Sequence, residues 1–254
     1  MPISVTALSI TPVKSTRLQE VDRIELGRTG VPDNRRFYIV DRRRHLINGK
    51  RLGELNAIVA AYAEPRLKLT FPDGTTVEDD VRLGEEVETK FFSVTDSGRL
   101  LEGPFCQALS DYAGQPLELV EARTSAIDRG PTAVASLISR ASLARLAQEN
   151  GDHDIDGRRF RMLIEIDGVD AHEEDSWLGR ATRIGGAVIV WGGNVGRCLT
   201  TSRDPDSGEI DLPTLDMLRS YRGEIKTTEP LPFGIYGEVV EEGEIQVGDT
   251  VELL

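Results

Sequence analysis

Short runs of β-branched and aromatic residues, cut every few positions by glycine, proline or aspartate, recur along this chain and leave room for few helices. Residues 4–12 alternate loosely, 36–40 are aromatic and β-branched, and 57–62, 67–71, 87–94 and 117–121 follow. Pro72-Asp73-Gly74 between two such runs predicts a hairpin turn. Runs 160–166 and 187–191 continue the pattern, and 233–240 with 247–254 predict a closing hairpin turned at Gly243 and Gly248. Helical spacing is confined to 107–112, to 142–148 and to 214–221. In the second of these Leu143, Leu146 and Ala147 share a face, and Ser139 stands ahead of it as an N-cap. Strands without alternating helices argue against βαβ units. They predict a mainly β (α+β) chain of β-barrel or sandwich architecture with a few short helices. The polar stretch 123–132 marks the join, giving domains 1–122 and 123–254.

The formal charge of -13 over 254 residues argues against nucleic acid or an anionic membrane as a partner. Neither a leader-like N-terminus nor an apolar run of about 20 residues is present, so a cytoplasmic location is expected. Two cysteines, Cys106 and Cys198, allow at most one disulfide, and a reduced pair is expected there. They cannot supply the four ligands of an ordinary iron–sulfur cluster. Redox chemistry would need electrons from a separate partner or another cofactor.

Cys198 lies in Gly192-Gly193-Asn194-Val195-Gly196-Arg197-Cys198-Leu199-Thr200-Thr201-Ser202-Arg203-Asp204-Pro205. Glycines permit close approach to the backbone, arginine favours a thiolate, and hydroxyls with backbone N–H groups can hold an anion. The run suits a thiolate offered to an anionic cofactor or substrate. None of His45, His153 and His172 carries a protease-like signature. Asp152-His153-Asp154-Ile155-Asp156-Gly157 begins like a calcium loop, but its twelfth position is Leu163, so a solvated loop is expected. His172-Glu173-Glu174-Asp175 lacks the second histidine of a zinc helix. Lys14, Arg35, Arg36, Arg158, Arg159 and Arg161 could join Arg197 in a basic pocket suited to phosphate.

In their order and spacing, several segments resemble the MOSC family, named for the C-terminal domain of molybdenum cofactor sulfurases, with its N-terminal β-barrel domain in front. They are Pro12-Val13-Lys14-Ser15, the run 30–41, Arg159-Phe160-Arg161, Glu174-Asp175-Ser176-Trp177-Leu178-Gly179, Gly196-Arg197-Cys198 through Asp204-Pro205, Pro232-Phe233-Gly234-Ile235-Tyr236, and Val247-Gly248-Asp249. The resemblance implies molybdenum cofactor, with Cys198 as metal ligand and catalytic residue. It places Lys14, Ser15 and Arg36 near the pterin phosphate, and adds Ser139, Arg161, Gly196, Arg197 and Thr201 to the cofactor pocket. It implies reduction of small N-hydroxylated substrates, with a separate flavin, haem or iron–sulfur protein as electron donor. Asp204 is expected to orient the loop. One departure stands out: the family's Phe-Arg-Pro-Asn is Phe160-Arg161-Met162-Leu163 here. Two rivals stay open, a sulfur-handling protein that uses Cys198 without molybdenum and a non-catalytic carrier of the cofactor.

Overall fold

The apolar run Phe37–Asp41 is a central strand covered on both faces, which is why it shows no polar alternation. Phe37 and Ile39 enter one core cluster, and Tyr38 and Val40 enter another. In the computed structural model, which describes residues 2–91, 94–123, 130–151, 153–227 and 229–254, this strand belongs to a five-stranded sheet. The order is Leu46–Ile47, Phe37–Asp41, Leu117–Ala122, Val94–Glu102 and Arg82–Phe91. A three-stranded meander, Val59–Ala63, Arg66–Thr70 and Thr76–Asp80, lies beside it, turned where Pro72-Asp73-Gly74 predicts. Helix α1 (Phe105–Ala113) packs Phe105 and Leu109 into the same core and ends at Gly114 in the left-handed region.

An eight-stranded sheet carries the second half. Its order is Val251–Leu253, Ala181–Ile184, Ala187–Asn194, Ile235–Glu241, Ala135–Ser139, Ile164–Asp167, Ser4–Ile10 and Gln19–Val21. The first strand of the chain is thus hydrogen-bonded into the sheet that later strands build. Only Ala135–Ser139 and Ile164–Asp167 run parallel in it. Among the described residues no continuous ladder closes this sheet into a barrel. Its ends are stitched by the bridge Ser4↔Thr250 and by Val5 N–H donating to the Asp249 carbonyl at 2.9 Å. Trp177 and Trp191, both fully buried, anchor its core. Strand Gly243–Gln246 pairs with Arg23–Leu26. Helices α2 (Arg140–Gln148) and α3 (Thr214–Arg222) meet Phe160 and Phe233 in a further cluster.

Four expected strands resolve differently. The run 87–94 is split between two antiparallel strands, because Phe91 and Val94 pair with each other; residues 92–93 lie outside the described ones. The run 160–166 starts as a 3-10 turn, Gly157–Phe160, capped by Asp156, whose carboxylate accepts from Arg158 N–H at 2.9 Å; the strand begins only at Ile164. Asp152, the first acid of the calcium-like loop, lies outside the described residues, as do 124–129 in the expected join. The last two expected strands do not pair as a hairpin, since Ile235–Glu241 lies between Ala135–Ser139 and Ala187–Asn194, and Val251–Leu253 joins Ala181–Ile184.

Arg203 and Gly208 of the segment that follows the cysteine seat against Gly53. Arg203 Nη1 donates to the Gly208 carbonyl at 2.7 Å. A Cβ on Gly208, which has φ +78°, would run into the Gly53 carbonyl. Gly208→Ala therefore combines left-handed strain with a backbone clash and is expected to cost about 2–3 kcal/mol. A lowered urea midpoint with an unchanged m-value is the expected measurement; an unchanged midpoint would show that the contact is not close-packed.

Candidate functional site

Backbone pairing between residues 11–14 and 35–37 begins the site. Arg35 N–H donates to the Thr11 carbonyl at 2.6 Å, Phe37 N–H to Pro12 at 2.9 Å and Lys14 N–H to Phe37 at 2.7 Å. This sets Lys14 beside Arg35 at the mouth of a cavity of about 480 Å3, lined on one side by residues between 9 and 56 and on the other by residues between 133 and 236. Its cations are Lys14, Arg35, Arg159, Arg161 and Arg197, and its one carboxylate among the described residues is Glu229. In a chain of net charge -13 such a wall is a local inversion of sign.

Three of its residues hold left-handed backbone without being glycine: Ser15 (φ 77°), Arg35 (φ 57°) and Arg161 (φ 54°). Such conformations cost free energy and gather at functional sites. The two arginines also lock the halves together. Arg35 Nη2 donates to the Arg161 carbonyl at 2.9 Å, and Arg161 Nη2 donates to the Thr16 carbonyl at 2.8 Å. Thr16 and Thr11, both fully buried, share a 2.7 Å hydrogen bond beneath the turn.

Cys198 lines the same cavity and its side chain is exposed. Its Sγ lies 3.5 Å from Thr200 Oγ1. Its carbonyl accepts from Thr201 N–H and from Thr201 Oγ1, each at 3.0 Å, which winds residues Leu199–Ser202 into a 3-10 turn. Arg197 is turned inward and only 7% exposed. Its Nε donates to the Phe233 carbonyl at 2.8 Å and its Nη1 to the Phe160 carbonyl at 2.8 Å. Nη2 also reaches the Phe233 carbonyl and lies 3.1 Å from Met162 Sδ. The arginine expected to bias the thiol directly thus fixes the walls on either side of it. Asp204 orients the loop as expected, accepting from Ser207 N–H at 2.7 Å and from Asp206 N–H at 3.0 Å. Burial works against its charge, but these bonds and Arg159 more than offset that and hold its pKa below the usual carboxylate range.

Lys14, Ser15, Arg161, Gly196, Arg197, Cys198 and Thr201 are therefore brought to one cavity. Arg36 and Ser139 are not. The Arg36 side chain points away, donating from Nε to Glu121 at 2.9 Å and lying 4.8 Å from the Tyr62 ring; Arg35 is the cation at that point of the chain. Ser139 is fully buried as the cap of α2, accepting from Ser142 N–H at 3.1 Å, with Glu174 Oε2 3.0 Å from its hydroxyl. Burial pushes the Glu174 carboxyl up despite the hydrogen bonds from Ser142 and Ser139. Asp175 next to it accepts from Asn194 and from Arg222, each at 2.6 Å, and Arg222 Nε donates to the Pro232 carbonyl at 2.6 Å. This brace holds the 232–233 segment against Arg197. Asn34, Asn48, Asn56 and Glu229 also line the cavity, and no local motif marks them in the sequence.

A larger cavity, of about 790 Å3, shares Ser9 and Met162 with this one. Its walls carry Glu20, Asp154, Asp156, Glu165 and Asp167 with Arg140 and Arg158, so Arg158, expected in the basic pocket, lies here instead, drawn to Asp156 at 2.6 Å and Asp206 at 3.0 Å. Cys198 lies in the smaller cavity, with Lys14, Arg35, Arg159, Arg161 and Arg197.

Residues 124–252 match the MOSC domain, and residues 3–116 match the MOSC N-terminal beta barrel domain. The chain belongs to the MOSC family. This MOSC chain is similar to mitochondrial amidoxime reducing component 2 of Bos taurus, at 27% identity over 98% of the chain and 82% of the relative. It is also similar to mitochondrial amidoxime-reducing component 1 of Homo sapiens, at 28% identity over 99% of the chain and 83% of the relative. Among solved structures, the YuaD protein from Bacillus subtilis covers all of the chain, and the chain covers 96% of it, with TM-score 0.47 and 12% identity, a likeness too distant to bear on the site.

Cys106 offers an internal control for thiol reactivity. It is half-buried, and burial pushes its pKa up. Iodoacetamide is expected to modify Cys198 at least about tenfold faster than Cys106, because burial both shields the Cys106 thiol and raises its pKa while Cys198 is exposed; peptide mass spectrometry reads the order, and faster loss of Cys106 would contradict the geometry. His172 provides a second test. Burial, with Arg222 and Arg145 nearby, lowers its pKa from 6.5 to about 4. The ring is neutral in the fold and protonates earlier when unfolded, so stability is complete above pH 6.5 and is lost as the pH falls toward 4. His172→Asn, which suits the φ of 63°, is expected to flatten that slope in denaturant titrations; an unchanged slope would contradict it.

Proposed function

We propose that this MOSC protein is a molybdenum-cofactor-binding oxidoreductase that reduces N-hydroxylated compounds, with Cys198 as ligand of the metal. Family membership supports a function related to molybdenum cofactor in general, and the relatives named for amidoxime reduction supply the substrate class. The observation that carries the finer reading is the exposed Cys198 thiol in one cavity with Lys14, Arg35 and Arg161.

The residues present fit the group. A pterin phosphate needs cations and N–H donors, and the Lys14–Ser15 turn with Arg35 and Arg161 offers both. A soft metal is matched by a thiolate. Leu163, at the place of the family's asparagine, turns into the sheet core at 4% exposure and leaves that part of the wall apolar. When bound, the cofactor supplies a two-electron metal centre able to exchange an oxygen atom. Cys198 presents its sulfur from the end of strand Ala187–Asn194, Arg197 fixes the loop from below, and the Thr200 hydroxyl stands 3.5 Å from that sulfur, where it can donate to a thiolate. Electrons arrive from a separate flavin, haem or iron–sulfur protein, because two cysteines cannot hold a conventional cluster.

Protein made in a host that synthesises molybdenum cofactor is expected to carry molybdenum and pterin in equal amounts. Cys198→Ser is expected to lose the metal while its circular dichroism is unchanged, and Lys14→Ala to retain about a tenth of the pterin, the loss of one charge-assisted contact. Folded wild-type protein without metal from that host would contradict the reading and favour sulfur handling by Cys198.

A further inference from the structure

Asn56 is not used by the reading above. It belongs to the 3-10 turn Gly53–Ala57, lines the Cys198 cavity and is 2% exposed. Its Oδ1 is shielded from solvent and has no hydrogen-bond partner among the described residues. A buried acceptor in that state is costly and rare, and it points to a donor that the chain itself does not supply.

The surroundings indicate where that donor would come from. A Cβ on Gly49 would lie 3.4 Å from Asn56 Oδ1 and 3.4 Å from Thr200 Cγ2, so the orphaned oxygen and Thr200 face the same small gap. Thr200 Oγ1 is in turn 3.5 Å from Cys198 Sγ. Asn56, Gly49, Thr200 and Cys198 all line the cavity and form an uncharged wall beside the sulfur. The cations gather around the other set of contacts, where Arg35 meets the Arg161 carbonyl and Arg161 meets that of Thr16. An anionic group is drawn to that set, and a neutral N–H or O–H suits the wall beside the sulfur.

We infer that Asn56 is a specificity-determining residue, whose carboxamide oxygen accepts a hydrogen bond from an N–H or O–H group of the substrate held beside Cys198. The assignment rests on the proposed function for the substrate class, since an N-hydroxyl group is such a donor and a tertiary amine N-oxide is not. A pterin ring also carries N–H groups, so the test separates substrate from cofactor.

The test uses full-length protein from a host that makes molybdenum cofactor. Calorimetry gives dissociation constants for an aromatic amidoxime and for a tertiary amine N-oxide of similar size, with wild type, Asn56→Leu and Gly49→Ala. The Gly49 variant covers the case in which the leucine disturbs folding, because its new methyl sits at ordinary contact distance and fills the approach to Asn56 Oδ1. Molybdenum and pterin are assayed on the same samples. Wild type is expected to prefer the amidoxime. Each variant is expected to bind it about tenfold more weakly, with N-oxide affinity and cofactor content unchanged. Equal weakening of both compounds, unchanged affinity for both, binding of neither by wild type, or loss of pterin in the variants would overturn the assignment. Wild-type protein that lacks molybdenum yet still discriminates would end the oxidoreductase reading and leave the role of Asn56 standing.

Discussion

One buried guanidinium holds the site in shape. Arg197 spends its N–H groups on the carbonyls of Phe233 and Phe160, so a single side chain ties three segments distant in sequence. Removing a cation from water is expensive, and only well-placed acceptors repay it. Fixing Arg197 therefore fixes Cys198 one residue later, with its side chain in solvent. The brace of Asp175, Asn194 and Arg222 acts on the same segment from behind, through the Pro232 carbonyl. Second-row contacts of this kind set the direction of a metal ligand as much as the ligand itself does.

The opposite wall is held by strain. Ser15, Arg35 and Arg161 each occupy the left-handed region, and the side chains of the two arginines hydrogen-bond from one half of the chain to the other. Each such residue costs free energy that the surrounding fold must offset. Several cations line one cavity as a result, in a molecule that is otherwise strongly acidic. A ligand bearing phosphate is drawn to this place and repelled from most of the remaining surface.

Much of this was legible in the sequence, because the residues concerned act through local chemistry. The glycines and hydroxyls around Cys198 marked a thiol offered to a ligand, whereas Lys14, Ser15 and Arg161 were placed with it by the family resemblance. The unread part depended on backbone turns that composition does not encode. Arg35 and Arg36 are neighbours of the same type, and only the positive φ at Arg35 decides which one enters the cavity. Arg161 looked like part of a strand, whereas the Asp156 cap winds that stretch into a 3-10 turn and leaves the arginine at its left-handed end. Ser139 announced itself correctly as a helix cap, and that is where its hydrogen bonds go. Asn56 carries no signal at all in one dimension: its meaning lies in an oxygen left without a donor once Gly49 and Thr200 are folded against it.

The account stands on sulfur from Cys198 reaching the metal inside this cavity. Molybdenum K-edge X-ray absorption of the loaded protein counts the sulfur atoms bound to the metal directly. The proposal predicts one more sulfur than the pterin dithiolene supplies, and loss of the molybdenum signal itself when Cys198 is alkylated before loading. A sulfur count equal to the dithiolene alone in the untreated protein, or a count that alkylation leaves unchanged, would contradict it.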